Sequence, residues 1–69
     1  MKLVNQHISK DCTRKVLVYV DNNGHYHLKR MELVVGGGWG TEITGRTKFK
    51  HIESCNRAVT KWLSTGKAV

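Results

Sequence analysis

The chain has 69 residues, 39% of them hydrophobic, with 12 Lys/Arg against 5 Asp/Glu for a formal net charge of +7. A single domain of this length buries only roughly 60% of the surface its unfolded form exposes, which allows one thin core and excludes a deep enzyme cleft. No apolar run approaches the ~20 residues that span a bilayer and no signal-peptide pattern opens the chain, so a soluble, cytoplasmic protein is expected.

The cationic surplus suits a phosphate backbone, where each neutralised phosphate releases counterions, or else an acidic protein surface. Cys12 and Cys55 lie far apart with no CxxC pattern, so free thiols are expected. Proline is absent, and neither an internal repeat nor a low-complexity tract is found.

Residues 1–14 open with "KLVNQHI", which reads as an N-terminal arm or a short edge strand, and continue into a polar connector. The clearest local signal follows. Val16 to Val20 are β-branched, aromatic or aliphatic, and "DNNG" separates them from a second such run beginning at Tyr26. Asn-Gly between two runs of this kind marks a hairpin, because both residues tolerate positive φ. A two-residue turn would pair Val20 with His27 and Val18 with Lys29. A type I turn with Gly24 as a left-handed bulge residue pairs Val20 with Tyr26 and Val18 with Leu28. Only the second sets apolar residues opposite one another on one face, so it is the expected register. The opposite face then carries Lys15, Leu17, Tyr19, His27, Lys29 and Met31. Alternation slips at "RMELVV", which predicts a bulge or the strand end between Arg30 and Leu33.

After "VVGGGWG" the stretch "TEITGRTKFK" reads as a third strand. Ile43, Thr47 and Phe49 fall on one face, and Glu42, Thr44, Arg46 and Lys48 on the other. Then "HIESCNRAVTKWLSTG" turns helical. Ile52, Cys55, Val59 and Trp62 form an apolar stripe flanked by Ala58 and Leu63, Glu53 lies early, and Gly66 sits where a stop belongs. His51 is not one of the usual N-capping residues. The expected fold is α+β: a three-stranded antiparallel sheet with a C-terminal helix packed on one face, over residues 15–66. A further N-terminal edge strand is added if residues 1–14 pair with it, and 67–69 form a tail.

This order resembles the β-β-β-α class of DNA-binding domains, namely the arm-binding domains of tyrosine recombinases and the ethylene-response-factor type of plant domain. The resemblance rests on the "DNNGHYH" hairpin and on "FKHIESCNRAV". There Phe49 ends a strand, Glu53 falls in the first helical turn, and small Cys55 and Ala58 let the helix sit close to the sheet. His51 stands where those families often have Thr or Ser, and the glycine segment is richer than theirs. The resemblance implies that the open sheet face, with Tyr19, His27, Lys29, Arg46 and Lys48, enters the major groove of duplex DNA.

On that face Arg46 is the expected direct reader of guanine acceptors, since its fork reaches two at once. Lys29, Arg30 and Lys48 suit phosphates, while Tyr19 and His27 suit stacking or sugar contacts. The glycine segment lacks a following Lys-Ser/Thr and leads into a strand, which excludes a phosphate loop. Trp39 within it has two arrangements: folded back over the core edge, favoured because so small a domain has few large apolar groups to spare, or offered to a partner at the rim of the binding face.

His7, Cys12, His51 and Cys55 could supply four zinc ligands, but "HISKDC" lacks the usual tight spacing and Cys55 belongs to the apolar stripe, so no metal or other cofactor is expected. The scattered carboxylates support no enzymatic chemistry. The expected function is nucleic-acid binding, duplex DNA before RNA, in an accessory role in a virus or mobile element. The alternative is an inhibitor or adaptor that docks on an acidic protein or nucleoprotein surface through Leu17, Tyr19, Met31 and Trp39, ringed by charge.

Overall fold

The computed structural model describes residues 1–42 and 45–67. Along the chain come β1 (Lys2–Ile8), β2 (Arg14–Val20), β3 (Tyr26–Leu33), β4 (Trp39–Glu42), β5 (Lys48–Phe49) and α1 (Ile52–Thr65). The strands form one antiparallel sheet in the order β1-β2-β3-β4, and β5 pairs with β3 further along the edge that β4 also uses. The fold is α+β with the C-terminal helix packed on one sheet face. The N-terminal segment is a full edge strand paired to β2, with a bulge at Val4 where the register shifts between Leu3 and Asn5.

The central hairpin has the bulged register. Val20 lies opposite Tyr26 and Val18 opposite Leu28. The Asp21 N–H donates to the His25 carbonyl at 3.0 Å, the Gly24 N–H donates to the Asp21 carbonyl at 3.1 Å, and Gly24 has φ 78°. That angle is strained for a residue with a Cβ and free for glycine, which is why the turn closes here. Asp21 also organises the turn through its side chain. Its Oδ1 accepts from the Asn23 and His25 N–H groups at 2.8 and 3.0 Å, and its Oδ2 lies 2.8 Å from Nε2 of His27.

A second three-residue hairpin turn has the same hydrogen-bond frame. The Val34 N–H donates to the Gly38 carbonyl and the Gly37 N–H to the Val34 carbonyl, each at 3.1 Å, with Gly36, Gly37 and Gly38 all at positive φ. The glycine run is therefore a tight turn, and Trp39 is the first residue of β4. The β1–β2 turn is held by Asp11, whose Oδ1 accepts from the Ser9 hydroxyl, the Thr13 hydroxyl and the Thr13 N–H at 2.7, 2.8 and 3.1 Å.

One sequence expectation is corrected. The stretch read as one third strand is two, interrupted at Gly45 with φ 83°. Glu42 consequently lies opposite Arg30 on the helix side of the sheet instead of sharing a face with Lys48. Ile43 and Thr44, assigned to opposite faces of that strand, lie outside the described residues, as do Ala68 and Val69 of the tail. Of the two causes expected where alternation breaks at "RMELVV", the strand end is the one observed, at Leu33, and not a bulge. β3 keeps its register to its end at Leu33, and the break arises because Arg30 occupies a core-facing position.

The core consists of Val16, Val18, Leu28 and Phe49 from the sheet and Cys55, Ala58, Val59 and Trp62 from the helix, with Tyr26 and Leu63 packed against it. The buried stripe starts one turn into α1, so Ile52 remains 39% exposed. His51 enters the helix with extended backbone and makes no side-chain cap. Gly66 ends it in the left-handed conformation, its N–H donating to the Trp62 carbonyl at 2.9 Å. Two side chains lock the helix to the sheet. The Trp62 indole N–H donates to the carbonyls of Lys15 and Met31 at 3.2 and 3.3 Å, and Nη2 of Arg14 donates to the Leu63 carbonyl at 3.2 Å. A cation there also opposes the partial negative charge of the helix C-terminus.

Arg30 is fully buried, and none of its three guanidinium nitrogens has a hydrogen-bond partner among the described residues. Burial pushes its pKa down, opposed by the negative charge that Cys55 and Glu42 can present. Desolvating an unpaired cation is costly.

Three outcomes follow for stability. Trp62→Ala removes the largest helix contact and its two hydrogen bonds, costing about 3–5 kcal/mol, enough to unfold so small a domain at 25 °C as read by circular dichroism. Arg30→Met should raise the urea midpoint, by about 1–3 kcal/mol of stability; a lower midpoint would mean that attraction to Glu42 outweighs desolvation. The third concerns acid. The hydrogen bond from His27, then that from the His25 N–H, holds the Asp21 carboxyl well below the usual carboxylate range, and Ser9 and Thr13 lower Asp11 to about 2. Depressed carboxyls stabilise the fold above their unfolded pKa of about 4, and that contribution drains away as pH falls through the folded values. Urea midpoints of the wild type should therefore fall from pH 4 downwards, and the gap between wild type and Asp21→Asn should be widest near neutrality and narrow in acid.

Candidate nucleic-acid interface

Side chains alternate between the faces of a strand, so the register sorts every strand residue. The helix covers one face. The other brings together Leu3, Tyr19, His27 and Lys48 in one row, then Gln6, Leu17 and Lys29, then Ile8, Lys15, Met31 and Thr41, and finally Leu33 with Trp39. Leu17, Tyr19, Met31 and Trp39 are half-buried here although no other described element covers them, and Lys29 and Lys48 are exposed.

Trp39 is absent from the core and stands on this open face, registered with Leu33. The Nζ of Lys15 lies 4.4 Å from its ring centroid, a cation–π contact that covers one side of the indole. The arrangement in which the ring folds back over the core edge is thus replaced by one in which it is open to a partner, shielded by a single flexible lysine.

Charge is segregated. Among the described strand residues of this face there are three lysines and no carboxylate. Asp11 and Asp21 lie in turns, Glu32 and Glu42 alternate to the helix side, and Glu53 is on the helix. Asp21, in the turn at one end of the face, is engaged by His27.

Of the residues assigned to binding from the sequence, Tyr19, Lys29, Lys48 and Trp39 are gathered on the open face. His27 is also there, but its Nε2 is occupied by Asp21, so it serves the turn. Arg30 leaves the set: it points to the helix side and is 0% exposed, where no phosphate can reach it. Arg46 is exposed but lies between the two short strands and not within one. Its Nε donates to the Lys48 carbonyl at 3.1 Å and its guanidinium lies 4.8 Å from the Phe49 ring centroid, whose ring belongs to the core side. It is therefore not aligned with Lys29 and Lys48 as a single strand would have aligned it. Lys15 was missed as a site residue. The signal available was its place on the same alternating face as Tyr19, but its proximity to Trp39 depends on a β3–β4 pairing that no short-range pattern announces.

Among the described residues no three His, Cys, Asp or Glu side chains are gathered to hold a metal ion. Cys55 is sealed in the core while Cys12 is exposed in the β1–β2 turn, so His7, Cys12, His51 and Cys55 do not converge. No described helix is long and apolar enough to cross a membrane. Compared with protein-family models, with curated proteins and with solved structures, the chain matches none.

Proposed function

We propose that the protein binds nucleic acid through the open face of its sheet. The observation that carries this reading is the segregation of charge: Lys15, Lys29 and Lys48 share a face with Tyr19 and Trp39 and with no strand carboxylate, on a chain of net charge +7. Lysines on such a face neutralise phosphates, and aromatic rings between them accept bases or sugars. The resemblance to β-β-β-α DNA-binding domains supports the same face and suggests duplex DNA as one ligand.

Exposed apolar side chains favour a second reading, a protein partner. Leu3 is 48% exposed, Ile8 55% and Leu33 45%, and Val35 stands fully exposed at the tip of the β3–β4 turn. Such a patch with a cationic rim fits an acidic protein surface.

A salt titration separates them. Under the nucleic-acid reading, log affinity falls linearly with log salt, and each lysine on a phosphate contributes about 0.9 to the slope on duplex and about 0.7 on a single strand. Lys29→Ala with Lys48→Ala should weaken binding on every sequence alike and flatten the slope by about 1.8 on duplex and about 1.4 on a single strand. Affinity indifferent to both salt and these lysines would sink the reading and leave the protein partner.

A further inference from the structure

We propose that Trp39 and Lys15 form a base-stacking subsite and that the ligand of the open face is single-stranded nucleic acid. This rests on the reading of that face as a nucleic-acid surface and names its ligand.

The first argument is width. The central β2–β3 hairpin, which carries Tyr19, Leu17 and Lys29, is flanked on one side by β1 and on the other by β4 and β5. Four strands spaced about 4.8 Å apart set the outer axes about 14 Å apart before side chains are added. The major groove is about 12 Å wide and admits a two-stranded ribbon. A two-stranded ribbon fits that groove better than a hairpin with a further strand on each side. A face of this width suits a strand whose bases are already unpaired and can lie down on it.

The second argument is the indole. Trp39 has no place in the core, yet it is held in a defined position by the β3–β4 pairing and by one ammonium at 4.4 Å. A base stacking on that ring takes the position of Nζ. The displaced ammonium, on a flexible stem, is left beside the phosphate of the nucleotide that displaced it. Only the stem moves, because the Lys15 backbone is anchored in β2 and its carbonyl accepts the Trp62 indole N–H. In the free protein Lys15 thus keeps the ring covered, and in the complex it pairs with the backbone. Tyr19 provides a second ring. The β3 partners of the two rings, Leu33 and His27, stand about 20 Å apart along the strand, with Met31 and Lys29 on the path between them.

The test uses the full chain, an oligonucleotide of about ten residues as single-stranded DNA and as RNA, and the matching DNA duplex, with anisotropy of an end-labelled oligonucleotide reading affinity and intrinsic tryptophan emission reading the indole. Trp62 is buried at 2% exposure, so a ligand-dependent change in emission reports Trp39. Single strands should quench it and bind at least tenfold more tightly than the duplex. Trp39→Ala should lose roughly 5- to 100-fold in single-strand affinity, and Trp39→Phe, which keeps a ring and controls for folding, should keep most of it. Lys15→Gln should lower the single-strand salt slope by about 0.7. Tighter binding of either single strand supports the proposal, and the difference between DNA and RNA shows whether the 2′-hydroxyl is read. Preference for duplex overturns it. So does salt-dependent, Lys29-dependent binding with unchanged emission and a harmless Trp39→Ala; that result leaves the surface reading intact. Failure of all three nucleic acids to bind at about 50 mM salt overturns both readings together.

Discussion

The indole of Trp62 holds this structure together. A sheet without a second layer cannot exclude water from either face, and here one helix of fourteen residues must do so alone. Trp62 is its largest buried side chain, and its N–H reaches the carbonyls of Lys15 and Met31, a cross-strand pair of the central hairpin. Each carbonyl has a second lone pair, so the contact adds to the ladder without competing with it. Arg14 repeats the tie one residue on, at the Leu63 carbonyl, and closes over Gly66. With the helix committed to one face, the other is left open.

That division explains where the chain tolerates unfavourable chemistry. The helix side accepts a desolvated guanidinium at Arg30, beside the Cys55 thiol and opposite Glu42. The open side accepts half-buried Leu17, Tyr19, Met31 and Trp39 with no described element above them. Neither choice improves a small core. The first is a cation where an aliphatic side chain would pack better, and the second is apolar surface that a purely structural sheet would replace with Thr or Lys. Only the second is accessible to a ligand, which is why function is sought there.

The parts of this fold that could be read from the sequence are those governed by near neighbours. Asn23-Gly24 set the hairpin register because only one turn class placed valine opposite apolar residues. The helix and its stop at Gly66 followed from spacing at Cys55, Val59 and Trp62. What escaped depends on distant partners. The N-terminal edge strand is one of two readings of residues 1–14, and pairing with β2, not a burial pattern, decides for it. Arg30 disguised a core position as a surface one and made β3 look interrupted. Gly45 split the third strand, which turned Glu42 away from Lys48. For the site, the alternating face was legible and its members Tyr19, Lys29 and Lys48 were found, whereas the placement of Trp39 beneath Lys15 required knowing how β4 lies against β3.

The two cysteines carry a last consequence. Cys12 sits at the surface in a left-handed conformation, φ 61°, while Cys55 is 0% exposed beneath the helix with its thiol pushed up by burial. A thiol reagent thus meets one accessible sulfur and one that only becomes available when the helix lifts from the sheet. Once Cys12 is blocked, the slow labelling of Cys55 is a clock for that opening. It times the breathing of the interface between helix and sheet, without adding a probe to the chain.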